Sequence, residues 1–200
     1  MIAPAGALAI AGAGGFVVVV TALHLLKPDL QPSRRFVSEY AIGEHGWLMQ
    51  AAFGLLTLAC AALAVGSWSE TEAGAILFMV AALGAAGAGV FVTDPSADGP
   101  SHPSRHGLLH VAFSFIVIPV LPVAATVVGI GLWASAAAPA WLGWSAAATW
   151  LGLAAFIGGP RLAQAAGLAP DGPPDGGFQR VMILTYAGWL MAAGFVVLAH

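Results

Sequence analysis

The residues most able to do chemistry lie between positions 94 and 110, a short polar link between two long apolar runs. This link holds Asp94 and three histidines, His102, His106 and His110. If the following run is helical from about Arg105, His106 and His110 fall one turn apart on a single face. Two imidazoles at that spacing hold one metal ion in helical zinc sites, with further ligands supplied from elsewhere. Asp94 is the candidate third ligand, because it ends the preceding run on the same side, and His24 is the alternative. The pair carries less information than His-Glu-x-x-His, since no general base is built into the helix. An interfacial histidine also faces headgroups or water, and an Asp before Pro95 also serves as an ordinary turn residue. His102, between Ser101 and Pro103, reads as a solvated loop residue, and His200 is given no role.

A second polar stretch, residues 36–49, brings Ser38, Glu39, Tyr40, Glu44 and His45 together. Here Ser38 and Glu39 are the catalytic candidates, with Glu39 as proton acceptor for a metal-bound water or as a ligand. Tyr40 and Ser38 suit a lipid headgroup, and His24 and Tyr40 are the candidate cofactor contacts. The structural alternative is a re-entrant interfacial segment anchored by Tyr40 and Trp47. Gln179 and Tyr186 add polar groups to the last apolar run and are not counted among the site residues.

These groups must be positioned by a chain that is 60% hydrophobic and 8% charged, where a soluble domain carries about 25% charged residues. Six apolar runs, at about 6–26, 46–68, 73–93, 107–133, 140–157 and 178–199, are each long enough to cross a hydrocarbon core of roughly 30 Å. The expected fold is therefore all-α, a single polytopic bundle of six transmembrane helices over residues 1–200. The N-terminus lacks the basic region of a secretory signal and is expected to be retained as the first helix. Gly84, Gly87 and Gly89 should let the third helix approach its neighbours closely. Pro119 and Pro122 should bend the fourth, with neighbours satisfying the freed carbonyls. Cys60 is the only cysteine, which rules out an internal disulfide and a multi-cysteine metal site. It is expected as a small buried residue. A net charge of −3 without a basic block excludes nucleic acid as a partner.

All six Lys and Arg fall in or beside the links after the first, third and fifth runs. Because Lys- and Arg-bearing loops stay cytoplasmic, both termini are expected outside the plasma (inner) membrane. The three basic links, and the polar stretches within them, are then expected on the cytoplasmic side.

Two likenesses sharpen these expectations. Phe91, Val92, Thr93, Asp94 and Pro95, then a short loop, then Gly107, Leu108, Leu109 and His110 opening a proline-bearing apolar helix, together with Ser38, Glu39 and Tyr40 after the first run, resemble the bacterial membrane family known as domain of unknown function 998. The resemblance covers nearly the whole chain. It implies a six-helix integral membrane protein in which Asp94 and His110 match the family's Asp-Pro and helix-opening His positions, and it implies no established activity. In chemistry alone, His106, His110, Asp94 and His24 are also similar to the ligand types of the alkaline ceramidase and adiponectin-receptor superfamily of intramembrane zinc hydrolases. That group has seven helices and carries its His pair on the last, so the likeness does not extend to the fold.

The leading expectation is a metal-dependent, zinc-type hydrolase acting on a lipid or other small amphiphile. His110, His106 and Asp94 (or His24) would hold the metal, with Glu39 as base. The second is a binding protein without chemistry, with haem held between His24 and His110, or with a quinone or lipid headgroup in the polar cluster. The third is an accessory subunit or oligomer packed through its small-residue and Trp-rich surfaces. A transporter is disfavoured, because there are no broken helices in matching halves and no charge at the midplane.

Overall fold

The computed structural model describes residues 2–96, 102–169 and 173–199. Ala97 to Ser101 of the histidine-bearing link and the C-terminal His200 lie outside the described residues. Six helices account for almost all of the rest: α1 (Ile2–Leu26), α2 (Gly46–Ser67), α3 (Glu72–Val90), α4 (Arg105–Ala134), α5 (Ala140–Ala165) and α6 (Asp175–Ala199). A short 3-10 helix, Val37–Ala41, interrupts the link between α1 and α2. All six helices are long and apolar enough to span a membrane, so the chain is a multi-pass membrane protein.

Each helix packs against its neighbours in sequence, and α6 returns to α1, so the six form a closed ring. Packing in lipid gains little from the hydrophobic effect and depends on close van der Waals contact. Small residues supply it. A side chain at Gly84 of α3 would reach within 2.8 Å of the Val117 backbone nitrogen of α4, and Gly87 makes room for the Phe113 ring. In the half of the ring nearer the termini, Ala59, Ala81, Ala85, Ala124, Ala125 and Ala193 fill a dense centre around Phe78, Leu121 and Leu190. Cys60 is buried in this core.

The ends of three helices differ from the spans read in the sequence. α3 stops at Val90, and residues 92–95 continue without regular structure. α5 runs on through Gly158, Gly159 and Pro160 to Ala165, where the sequence suggested a loop. α6 begins earlier, at Asp175. Glycine and proline mark breaks in water, yet in a packed bundle the neighbouring helices hold such a segment helical. Pro119 and Pro122 likewise sit inside an unbroken α4.

Candidate functional site

In the half of the ring facing the three longer links, α1, α2, α4, α5 and α6 enclose a cavity of about 950 Å³. Its walls are mostly apolar, with Phe16, Met49, Phe53, Leu56, Phe156 and Met182 among them. Polar lining comes from the link ends of the elements: Ser38, Asp94, Ser96, Arg161, Asp175 and Gln179. His110 and Tyr186 line it at deeper levels. A single volume therefore has an oily interior and one polar end.

His110 is 5% exposed. Its Nδ1 lies 2.9 Å from both the Ala88 and Phe91 carbonyl oxygens. Carbonyls only accept, so Nδ1 carries the proton and donates to both, which leaves the Nε2 lone pair to the cavity-lining side. The Phe91 N–H already bonds to Gly87, so the imidazole satisfies carbonyls that the end of α3 leaves open. Asp94 Oδ2 accepts the Ser104 N–H at 2.8 Å, and Ser104 Oγ in turn caps α4 by accepting the Gly107 N–H at 2.9 Å. A side chain at Gly107 would crowd the Asp94 carboxylate, so glycine leaves room for this contact. Both residues thus hold the start of α4 against the end of α3. His106 is exposed and packs edge-on against Phe91, so the His pair is not turned into one pocket.

Glu39 is 2% exposed and fully engaged. Its carboxylate accepts from the Phe36 N–H (2.9 Å), Arg35 Nη1 (3.2 Å), the Ser96 N–H (3.2 Å) and Ser96 Oγ (2.7 Å). It joins the 3-10 helix to the α3–α4 link. Ser38 is buried at the cavity wall. Tyr40 is fully buried and donates its hydroxyl to the Leu30 carbonyl at 3.3 Å.

The most connected group is one the sequence pointed to only as a basic residue. Arg180, in the second turn of α6, donates to His24 Nε2 (2.7 Å), the Arg35 carbonyl (2.9 Å), the Gly176 carbonyl (2.9 Å) and Tyr40 Oη (3.2 Å). His24 Nδ1 lies 2.6 Å from the Val20 carbonyl, so Nδ1 bears the proton and Nε2 accepts from arginine. Both ring nitrogens of His24 are therefore engaged, Nδ1 by the Val20 carbonyl and Nε2 by Arg180. The available signal was position: Arg180 lies inside an apolar run, where a charge needs partners. Lys27 closes the same link, donating to the Tyr40 (3.0 Å) and Ile42 (2.5 Å) carbonyls. Burial pushes its ammonium below the ordinary lysine pKa, and Glu44 opposes that shift. Gln179 Oε1 accepts the Val37 N–H at 2.6 Å.

Tyr186 donates its hydroxyl to the Ile118 carbonyl at 2.8 Å. That carbonyl lost its helical partner because Pro122, four residues on, has no N–H.

The residues singled out from the sequence thus cluster at one end of the bundle. Among the described residues, no three His, Cys, Asp or Glu side chains gather where they could hold a metal ion. The likeness to intramembrane zinc hydrolases finds no support in this geometry. A family model described as Protein of unknown function (DUF998) matches residues 10–196. No curated protein and no solved structure gives a significant match.

Proposed function

We propose that this chain, which belongs to the DUF998 family, binds an amphiphile within the plane of the membrane. The observation that carries the reading is the cavity: about 950 Å³, predominantly apolar, with its polar groups at the link end. Small-molecule sites occupy about 300–1,000 Å³ and combine apolar walls with a few placed polar groups. The apolar tail would lie between α1, α2, α4 and α6, and the head would meet Ser38, Ser96 and Gln179. The His110 imidazole, fixed by two carbonyls, offers Nε2 as an acceptor partway along. The Lys and Arg of the three links favour the cytoplasmic side of the plasma membrane for this polar end.

The engagement of Glu39 and His24 favours binding over metal-dependent hydrolysis, since each would have to abandon a structural bond to take part. Native mass spectrometry of the protein purified in mild detergent tests the reading. Wild type should retain a lipid, and Ile118→Trp or Ile183→Trp, which fill the cavity from α4 and α6, should release it while keeping the thermal transition. Retention of lipid by both filled variants would contradict it. Metal analysis separates the hydrolase reading: stoichiometric zinc that disappears in His110→Ala would overturn the present one. A Soret band in the purified protein would favour haem instead.

A further inference from the structure

The cavity wall is not closed to the bilayer. On α4, Leu108, Val111, Phe115 and Pro119 line the cavity and are also exposed, Phe115 to 75%. On α5, Ile157 lines it and is 59% exposed. Near the termini the same two helices are held together. There Gly129 meets Gly143, and Trp150 Nε1 donates to Thr126 Oγ1 at 2.9 Å. The pair is thus joined at one end and opens to the side at the other. Pro119, Pro122 and Pro160 all lie within these two helices. An opening at this depth faces lipid acyl chains.

Two opposite charges line the link end of the cavity. Arg161 is exposed on the last turns of α5, Asp175 opens α6, and both line the cavity. The two are close enough to interact electrostatically. The third charge in the lining, Asp94, is already bonded to the Ser104 N–H. Arg161 and Asp175 thus set one guanidinium beside one carboxylate whose oxygens take no such backbone bond among the described residues, a pattern complementary to a headgroup that is itself a phosphate beside a cation. A guanidinium suits phosphate geometry, and a carboxylate suits a primary ammonium, which has three donors.

We infer that the amphiphile is a phospholipid with an aminoethyl-phosphate headgroup. It slides laterally between the link halves of α4 and α5, its phosphate on Arg161 and its ammonium at Asp175. This rests on the proposed amphiphile site and adds its ligand class and its route.

The test reconstitutes wild type with matched-chain phosphatidylethanolamine, phosphatidylglycerol or phosphatidylcholine and measures retained lipid by native mass spectrometry. Wild type should retain phosphatidylethanolamine most. Arg161→Gln should lower retention of all three by about tenfold, the scale of one charge-assisted contact. Asp175→Asn should remove only the preference for phosphatidylethanolamine, and Arg105→Gln, at the exposed start of α4, should change nothing. Val111→Trp, at the opening, should slow exchange of a fluorescent phospholipid. Unchanged preference in Asp175→Asn, unchanged retention in Arg161→Gln, or a wild-type preference for phosphatidylglycerol would overturn the headgroup assignment. Unchanged exchange in Val111→Trp would overturn the lateral route. The cavity-filling variants fail separately, because they test whether anything is held at all.

Discussion

At the residue scale, groups with the chemistry of an active site here do the work of joints. Glu39 accepts four donors from three residues, and a buried carboxylate so placed is costly to disturb from either side. Removing one partner of a buried charge pair costs about 3–5 kcal/mol. Glu39→Ala should therefore lower the thermal transition in detergent by several degrees, and Glu39→Gln, which keeps the shape but donates where it must accept, should also lower it. A Glu39→Gln protein of unchanged stability would return Glu39 to the role of a free base. Arg180→Lys should destabilise as well, because an ammonium cannot reach His24, Tyr40 and two carbonyls in one plane. Residue types in the sequence announced that polar atoms would meet at this end of the chain. They did not announce which atoms were already spoken for, since bonds such as Asp94 to the Ser104 N–H run to backbone, and backbone leaves no mark in a sequence.

Helices were the most legible level, because a run of apolar residues long enough to span leaves few alternatives to a helix in lipid. Depth was less legible. The spacing of His106 and His110 fixed their angle around α4, but α4 begins at Arg105, so His106 projects beyond the end of α3 while His110 lies beneath it. Periodicity gives direction and says nothing of where a neighbour ends. The prolines of α4 offer a sharper test. Tyr186→Phe should cost about 1–2 kcal/mol, the penalty for leaving the Ile118 carbonyl unpaired. In a Pro122→Ala background the helix regains an N–H for that carbonyl, and the cost of Tyr186→Phe should shrink. Equal costs in the two backgrounds, measured by unfolding in mixed micelles, would sever the link between the proline and the tyrosine.

Across the whole molecule, six spanning helices closed into a ring put both termini and the α2–α3 and α4–α5 turns at one end and the three basic links at the other. Single cysteines at Ser69 and Ser104, in a variant lacking Cys60, should react with an impermeant reagent from opposite sides of the membrane. Ser104 should be reached from the cytoplasm. Labelling of both from one side would break the topology. The ring also explains why the cavity was invisible in sequence: its walls are contributed by residues as distant as Phe16 and Tyr186, each an ordinary apolar or aromatic position in its own helix. Small residues close one half, and the other is held apart by the 3-10 helix and the links. If this open half holds an amphiphile, a density map of the protein in lipid nanodiscs should reveal it. The map should show an elongated density between α1, α2, α4 and α6 whose polar end meets Ser38, Ser96 and Gln179. Helices collapsed onto one another, or a cavity filled only by water, would contradict it.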